Sequence, residues 1–175
     1  MRKWLKLLGP LYLSLIALVI FTYPISLVKK LVPMGRPGNV HAEFIEKIKQ
    51  DLGTEKDIIL LLGPYRVNFP NKSPAASILH GNSYYIFIDE EFFSELPDIE
   101  EKALIAHELG HILYTYPDND KAAELQAQIG ADAIAARYVS PEAITRLIRK
   151  NYAGRENLEL IIRLEKIRDL SLSEY

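Results

Sequence analysis

The 175-residue chain contains no cysteine. Disulfides, thiolate-bound metal, thiol catalysis and lipid attachment through cysteine are therefore excluded. Histidine is scarce as well, at four residues: His41, His80, His107 and His111. A metal site built on imidazole has few candidate ligands to draw on. Charge excess of either sign is also missing, since 21 Lys and Arg face 23 Asp and Glu for a net charge of −2. A nucleic-acid binder should show a basic face, so no nucleic-acid partner is expected. No internal repeat or low-complexity tract interrupts the chain. Its length fits one compact domain plus an appendage.

The appendage is at the N-terminus. From Leu7 to Val28 no residue carries a charge, and Arg2, Lys3 and Lys6 precede the run while Lys29 and Lys30 follow it. At 1.5 Å per residue that run is long enough to cross a hydrocarbon core. It exceeds the apolar region of a typical signal peptide, and no small-x-small cleavage site precedes Lys29. Residues 1–30 are thus expected to form a single-pass membrane anchor. The basic residues before the run slightly outweigh those after it, which favours an extracytoplasmic main domain. Residues 31–39 carry Pro33, Pro37, Gly35 and Gly38 and are expected to be a linker, leaving 40–175 as the folded domain.

Five residues in that domain carry most of the chemical information: His107-Glu108-Leu109-Gly110-His111. On an α-helix, positions i and i+4 project from one face, so both imidazoles can reach a single metal ion. Glu108 lies about 100° round the helix from His107, where it can act as a general base on a water. Zn2+ is the expected cofactor, held by nitrogen and oxygen donors. Helical context is present, because Pro97 precedes Asp98-x-x-Glu101, a candidate capping box, and Pro117 ends the run. Gly110 in mid-helix costs about 1 kcal/mol relative to Ala, which makes sense if another backbone packs close.

Around this helix the pattern reads as α+β. A helix to about Asp51 is expected, then a buried strand from Ile58 to Leu62 and a loop over 63–74. Segments 77–80 and 84–88 flank Gly81-Asn82-Ser83 as a β-hairpin. Helices are expected over about 90–96, 98–116, 120–139, 141–152 and 155–170. If Tyr84 to Ile88 were a sheet edge beside the metal, it could align an extended peptide by β-addition; otherwise it is a paired core strand.

Two histidines do not complete a catalytic zinc site, which usually has three protein ligands and a water. The next helix offers Glu124, Gln128 and Asp132, four residues apart on one face. Glu124 and Asp132 stand about 12 Å apart along the axis, so they cannot both bind one ion. The third ligand is taken to be Glu124, with Gln128 and Asp132 as alternative ligands or as groups that orient a ligand histidine. Tyr138 and His80 are candidate donors to a developing oxyanion. The charged helices that follow, with Arg146, Arg149, Glu159, Arg163 and Glu165, read as one solvated and one packed face. Arg146, Arg149 and Lys150 could also touch lipid headgroups.

The run EEKALIAHELGHIL (100–113) resembles the active-site helix of the HtpX-like and CAAX-prenyl-protease-like gluzincins. YYIFIDEEFFSEL resembles the segment that precedes that helix in the family, and the stretch from Gln128 to Tyr138 resembles its E-x-x-A-D segment. A similar arrangement occurs in the ImmA-like peptidases, with a Pro shortly after, as at Pro141. The resemblance covers about residues 75 to 145. It implies a zincin-like metallopeptidase domain with a small β-sheet and active-site helices, in which a Glu ligates zinc and an Asp supports a ligand histidine. In this chain Gln128 stands where the family has the ligand Glu. Either Glu124-Leu-Gln-Ala-Gln128 is the true match, or Asp132 itself serves as ligand. The expected function is a membrane-anchored zinc endopeptidase acting on a polypeptide substrate, with Glu108 as general base. The alternatives are a zincin-shaped binding or scaffold protein with little or no catalysis, and a metal-dependent amidase for a non-peptide substrate.

Overall fold

A computed structural model describes residues 28–66, 73–113, 120–152 and 157–172. It is α+β, with a mixed four-stranded sheet of order β1-β2-β4-β3; the longer helices pack on one face, and a helical turn over 28–31 packs on the other. The strands are β1 (Arg36–Pro37), β2 (Asp57–Gly63), β3 (Ala75–His80) and β4 (Ser83–Asp89). The helices are α1 (Ala42–Asp51), α2 (Glu90–Ser94), α3 (Asp98–Gly110), α4 (Lys121–Ala135), α5 (Pro141–Asn151) and α6 (Leu158–Leu172). Four of the six begin on a side chain that accepts a free backbone N–H. Asp89 caps α2, Asp120 caps α4, Ser140 with Pro141 caps α5, and Asn157 accepts from Leu160 N at the start of α6.

β2 and β4 run parallel, while β3 pairs antiparallel with β4 on its other side. Tyr84 to Ile88 is accordingly an inner strand, and the sheet edges are β1 and β3. Gly81, at φ 61°, closes the tight turn between them, a left-handed conformation that glycine adopts without steric cost. Both central strands are apolar on both faces, as a doubly covered strand must be. Leu60, Leu62, Ile86 and Ile88 face the helices, joining Ile48, Phe92, Leu104, Ile105 and Ile144 in the main core. Leu61 and Phe87 point the other way and pack with Tyr65, Val28 and Leu31.

Residues 31–39, expected as a linker, instead carry a 3-10 turn (Val32–Met34) and strand β1, whose Arg36 and Pro37 pair with Leu62 and Leu61. Proline and glycine signalled the irregular backbone there but not the edge pairing it permits. Among the described residues no helix is long and apolar enough to cross a membrane. The expected anchor lies outside them except for its last few residues, of which Val28 is buried on the outer sheet face.

The capping box does not form. Pro97 is the N-cap, Asp98 is already helical and bonds Lys102 Nζ at 2.7 Å, and Glu101 pairs with His41. Helix α3 ends at Gly110 and continues as a 3-10 turn, His111–Leu113; residues 114–119 are not described. Gly110 has the close neighbour its type implied, because a Cβ there would lie 2.8 Å from Ala131 Cα and 3.0 Å from its carbonyl oxygen. Helices α3 and α4 thus cross almost backbone to backbone, and the alanines of α4 allow it.

Candidate functional site

That close crossing places the last turn of α3 against the middle of α4. His107 and Glu108 are buried, and His111 is half-buried. The two Nε2 atoms of His107 and His111 stand 3.2 Å apart, with the rings nearly perpendicular at 89°. On the far side of its ring, His107 Nδ1 donates to Asp132 Oδ1 at 2.8 Å. This fixes the tautomer, since a proton on Nδ1 leaves the Nε2 lone pair directed at His111.

Asp132 is itself held. Arg163, on the C-terminal helix α6, donates from Nε to Oδ2 at 2.8 Å and from Nη2 to Oδ1 at 2.9 Å. Both side chains are nearly solvent-free, at 5% exposure for Arg163 and 2% for Asp132. Burial pushes the Asp132 pKa up, but His107 and Arg163 outweigh that and hold it below the ordinary carboxylate value. His111 is pushed down to about 3, first by burial and then by the positive charge of its neighbours, so its imidazole is neutral. Burial raises Glu108 above the usual carboxylate range, against the lowering effects of His107, a hydrogen bond with Ser77, and Arg163. A neutral His111 imidazole beside a carboxyl of raised pKa suits metal ligation and proton transfer.

The three motif residues open onto a cleft of about 760 Å³. Edge strand β3 forms one wall with Ala75, Ser77 and Leu79, while Glu124, Gln128 and Asp132 line it from α4. Asn151 and Tyr152 from the end of α5, and Asn157, Glu159 and Arg163 from α6, complete the far side. Tyr152 OH bonds the Glu159 carboxylate, and its pKa is pushed up to about 12 by burial and by that bond.

Each expected residue therefore has a definite place. Asp132 is spent on His107 and Arg163 and holds the His107 ring from behind rather than facing the shared side of the two imidazoles. Gln128, half-buried, lies one turn earlier, and Glu124, exposed, one turn earlier still. Among the described residues one group of three His, Asp or Glu has donor atoms all within 4.8 Å of one another: His41, Asp98 and Glu101. Glu124 does not form such a group with His107 and His111.

His80 and Tyr138 do not reach the cleft. His80 lies on the outer sheet face beside Tyr85, because its position in β3 has the opposite parity to Ser77. Tyr138 packs edge-on against Phe44 and bonds Asp51. Arg146 and Lys150 bond the buried carboxylate of Glu100 at 2.8 and 3.0 Å. Arg163, Ser77 and Tyr152 were not anticipated at the site. The i,i+4 pair Glu159 and Arg163 was the only local signal, and it reads equally well as a surface ion pair. Comparison with family models, with curated proteins and with solved structures finds no match.

Proposed function

We propose that this chain is a membrane-anchored zinc metallopeptidase of gluzincin type, with a zincin-like domain. One observation carries the reading: the Nε2 atoms of His107 and His111 lie 3.2 Å apart, with the buried Glu108 carboxyl between those residues in sequence. Two nitrogens at 2.0–2.1 Å from a tetrahedral zinc stand about 3.3 Å from each other, so the pair fits one ion. The third donor comes from α4. Asp132 lies behind the His107 ring, and at 1.5 Å rise per residue Gln128 is about 6 Å and Glu124 about 12 Å along the axis from it. That favours the Gln128 amide oxygen, with the Glu124 carboxylate as the more distant donor.

When bound, zinc lowers the pKa of a water and polarises the scissile carbonyl. Glu108 takes the proton from the attacking water at a carboxylate oxygen and passes it to the leaving amine nitrogen. Ser77 holds the Glu108 carboxyl in place. The edge strand β3 offers backbone N–H and C=O groups to an extended peptide, which would bind without regard to side-chain identity. The uncharged run from Leu7 to Val28 would tether the domain to a bilayer.

The test uses the full chain in detergent with a casein substrate, comparing the wild type with Glu108→Gln. Hydrolysis that needs zinc and disappears in the variant supports the peptidase. A second reading rests on Gln128, a neutral donor where zinc favours a carboxylate: a zinc-holding binding protein without turnover. Stoichiometric zinc with no Glu108-dependent cleavage would select it. Zinc retention in Gln128→Ala and Glu124→Ala separates the two candidate donors.

A further inference from the structure

We infer that Arg163 is a positioning residue for the metal centre, acting through Asp132 on His107, so that the C-terminal helix is a working part of the site. The inference rests on the reading of His107 as a metal ligand and adds a residue 56 positions downstream. Its ground is a continuous chain of three buried groups: Arg163 to Asp132 at 2.8 and 2.9 Å, then Asp132 to His107 Nδ1 at 2.8 Å.

The geometry is what a fixed imidazole needs. A carboxylate with a single partner can rotate about its Cβ–Cγ bond and swing away from the ring. The guanidinium fork engages both oxygens in one plane, leaving Oδ1 aimed at Nδ1. A lysine would supply the charge but not the plane. Stability alone does not account for the pair, because a buried ion pair is often no more stabilising than apolar side chains of similar volume. Nor is Arg163 there to bind substrate, since two of its three guanidinium nitrogens are engaged by Asp132 and Nη1 lies 3.6 Å from Glu159. Its plane is further set by the Tyr152 ring, 6.0 Å away.

The test measures zinc affinity by chelator competition on the full chain for the wild type, Arg163→Met and Arg163→Lys, beside the visible spectrum of the Co2+-loaded proteins. Loss of a group that orients a metal-binding histidine typically weakens metal binding 10- to 100-fold. Arg163→Met should fall in that range, Arg163→Lys should recover only part of it, and the Co2+ bands should shift in both. Wild-type affinity and an unchanged spectrum in both variants would overturn the inference, even if both unfold at lower temperature. Should Arg163→Met fail to fold, the lysine variant decides. A wild type that takes up no zinc would sink the metal reading instead. Histidine nitrogen NMR of the metal-free chain then settles the positioning role separately: His107 should carry its proton on Nδ1 in the wild type and lose that fixed tautomer in Arg163→Lys. An identical tautomer in both would overturn it.

Discussion

Two imidazole–carboxylate pairs sit at opposite ends of α3. At its first turn His41 Nε2 lies 2.7 Å from Glu101, and at its last turn His107 Nδ1 lies 2.8 Å from Asp132. The distances are alike, and the difference lies in what each second ring nitrogen faces. His41 Nδ1 looks towards another carboxylate, Asp98, at 3.8 Å. His107 Nε2 looks at the equivalent nitrogen of His111. An imidazole between two carboxylates is a bridge that ties the start of α1 to α3. An imidazole whose free nitrogen faces another acceptor nitrogen needs a proton or a cation between them. His41, Asp98 and Glu101 are the closer cluster of donors, but Glu101 engages Nε2 and Asp98 faces Nδ1, so the two carboxylates do not converge on one nitrogen of the ring. Proximity of donors is thus a poorer guide to a metal site than the direction of their lone pairs.

The largest expected effect lies at the buried end. Glu108→Gln should lower zinc-dependent peptide hydrolysis about 10³-fold, within the range for losing a general acid–base group, while zinc content stays at the wild-type level. Any substitution at the His41 end should leave the rate unchanged, and a comparable rate loss in His41→Ala would erase the contrast.

Next in size is Gly110→Ala. Its new methyl meets backbone atoms of Ala131, so α4 must move, at a cost of about 1–3 kcal/mol that the gain of about 1 kcal/mol in helix propensity only partly offsets. Urea unfolding should show the loss, and zinc affinity should fall with it as Asp132 is drawn away from His107. An equal or raised unfolding midpoint would mean that the two helices are not locked together there.

Acid sensitivity gives a third comparison. Glu100 on α3 is desolvated, but Arg146 and Lys150 more than compensate and hold its pKa below the usual value. Because the folded value is depressed, this contribution to stability is complete above the unfolded pKa of about 4.3 and disappears as pH falls through the folded value. Glu100→Gln should therefore flatten the fall in unfolding midpoint below about pH 4.3 and lower stability at neutral pH. The unaltered acid slope of the wild type would refute the assignment. Smallest of all, His41→Ala should cost about 1 kcal/mol, the scale of one partly buried hydrogen bond.

What the sequence disclosed about this site follows a division between local and distant geometry. The His107, Glu108 and His111 arrangement was legible because helix geometry alone sets which face i and i+4 share. Gly110 was legible too, since a costly residue in mid-helix implies a close neighbour. The role of Asp132 against Gln128 and Glu124 was not, because it depends on the register in which α4 crosses α3, and that register is set by the contact of Gly110 with Ala131. The strand order had the same limit: the hairpin of β3 and β4 was readable from Gly81-Asn82, but its second strand became an inner one through parallel pairing with β2. Ser77 and His80 were not told apart either, because which face of β3 meets the helices is set by the packing and not by the strand's own alternation. Arg163 lay furthest from view, since nothing near it in sequence distinguishes a buried fork from a surface charge.

The central claim is that the His107 end of α3, and not the His41 end, holds a metal ion. Zinc content of the purified full chain, of His107→Ala and of His41→Ala tests it most directly. One zinc per chain in the wild type and in His41→Ala, with none in His107→Ala, is the predicted result. Zinc that survives in His107→Ala and disappears in His41→Ala would contradict it.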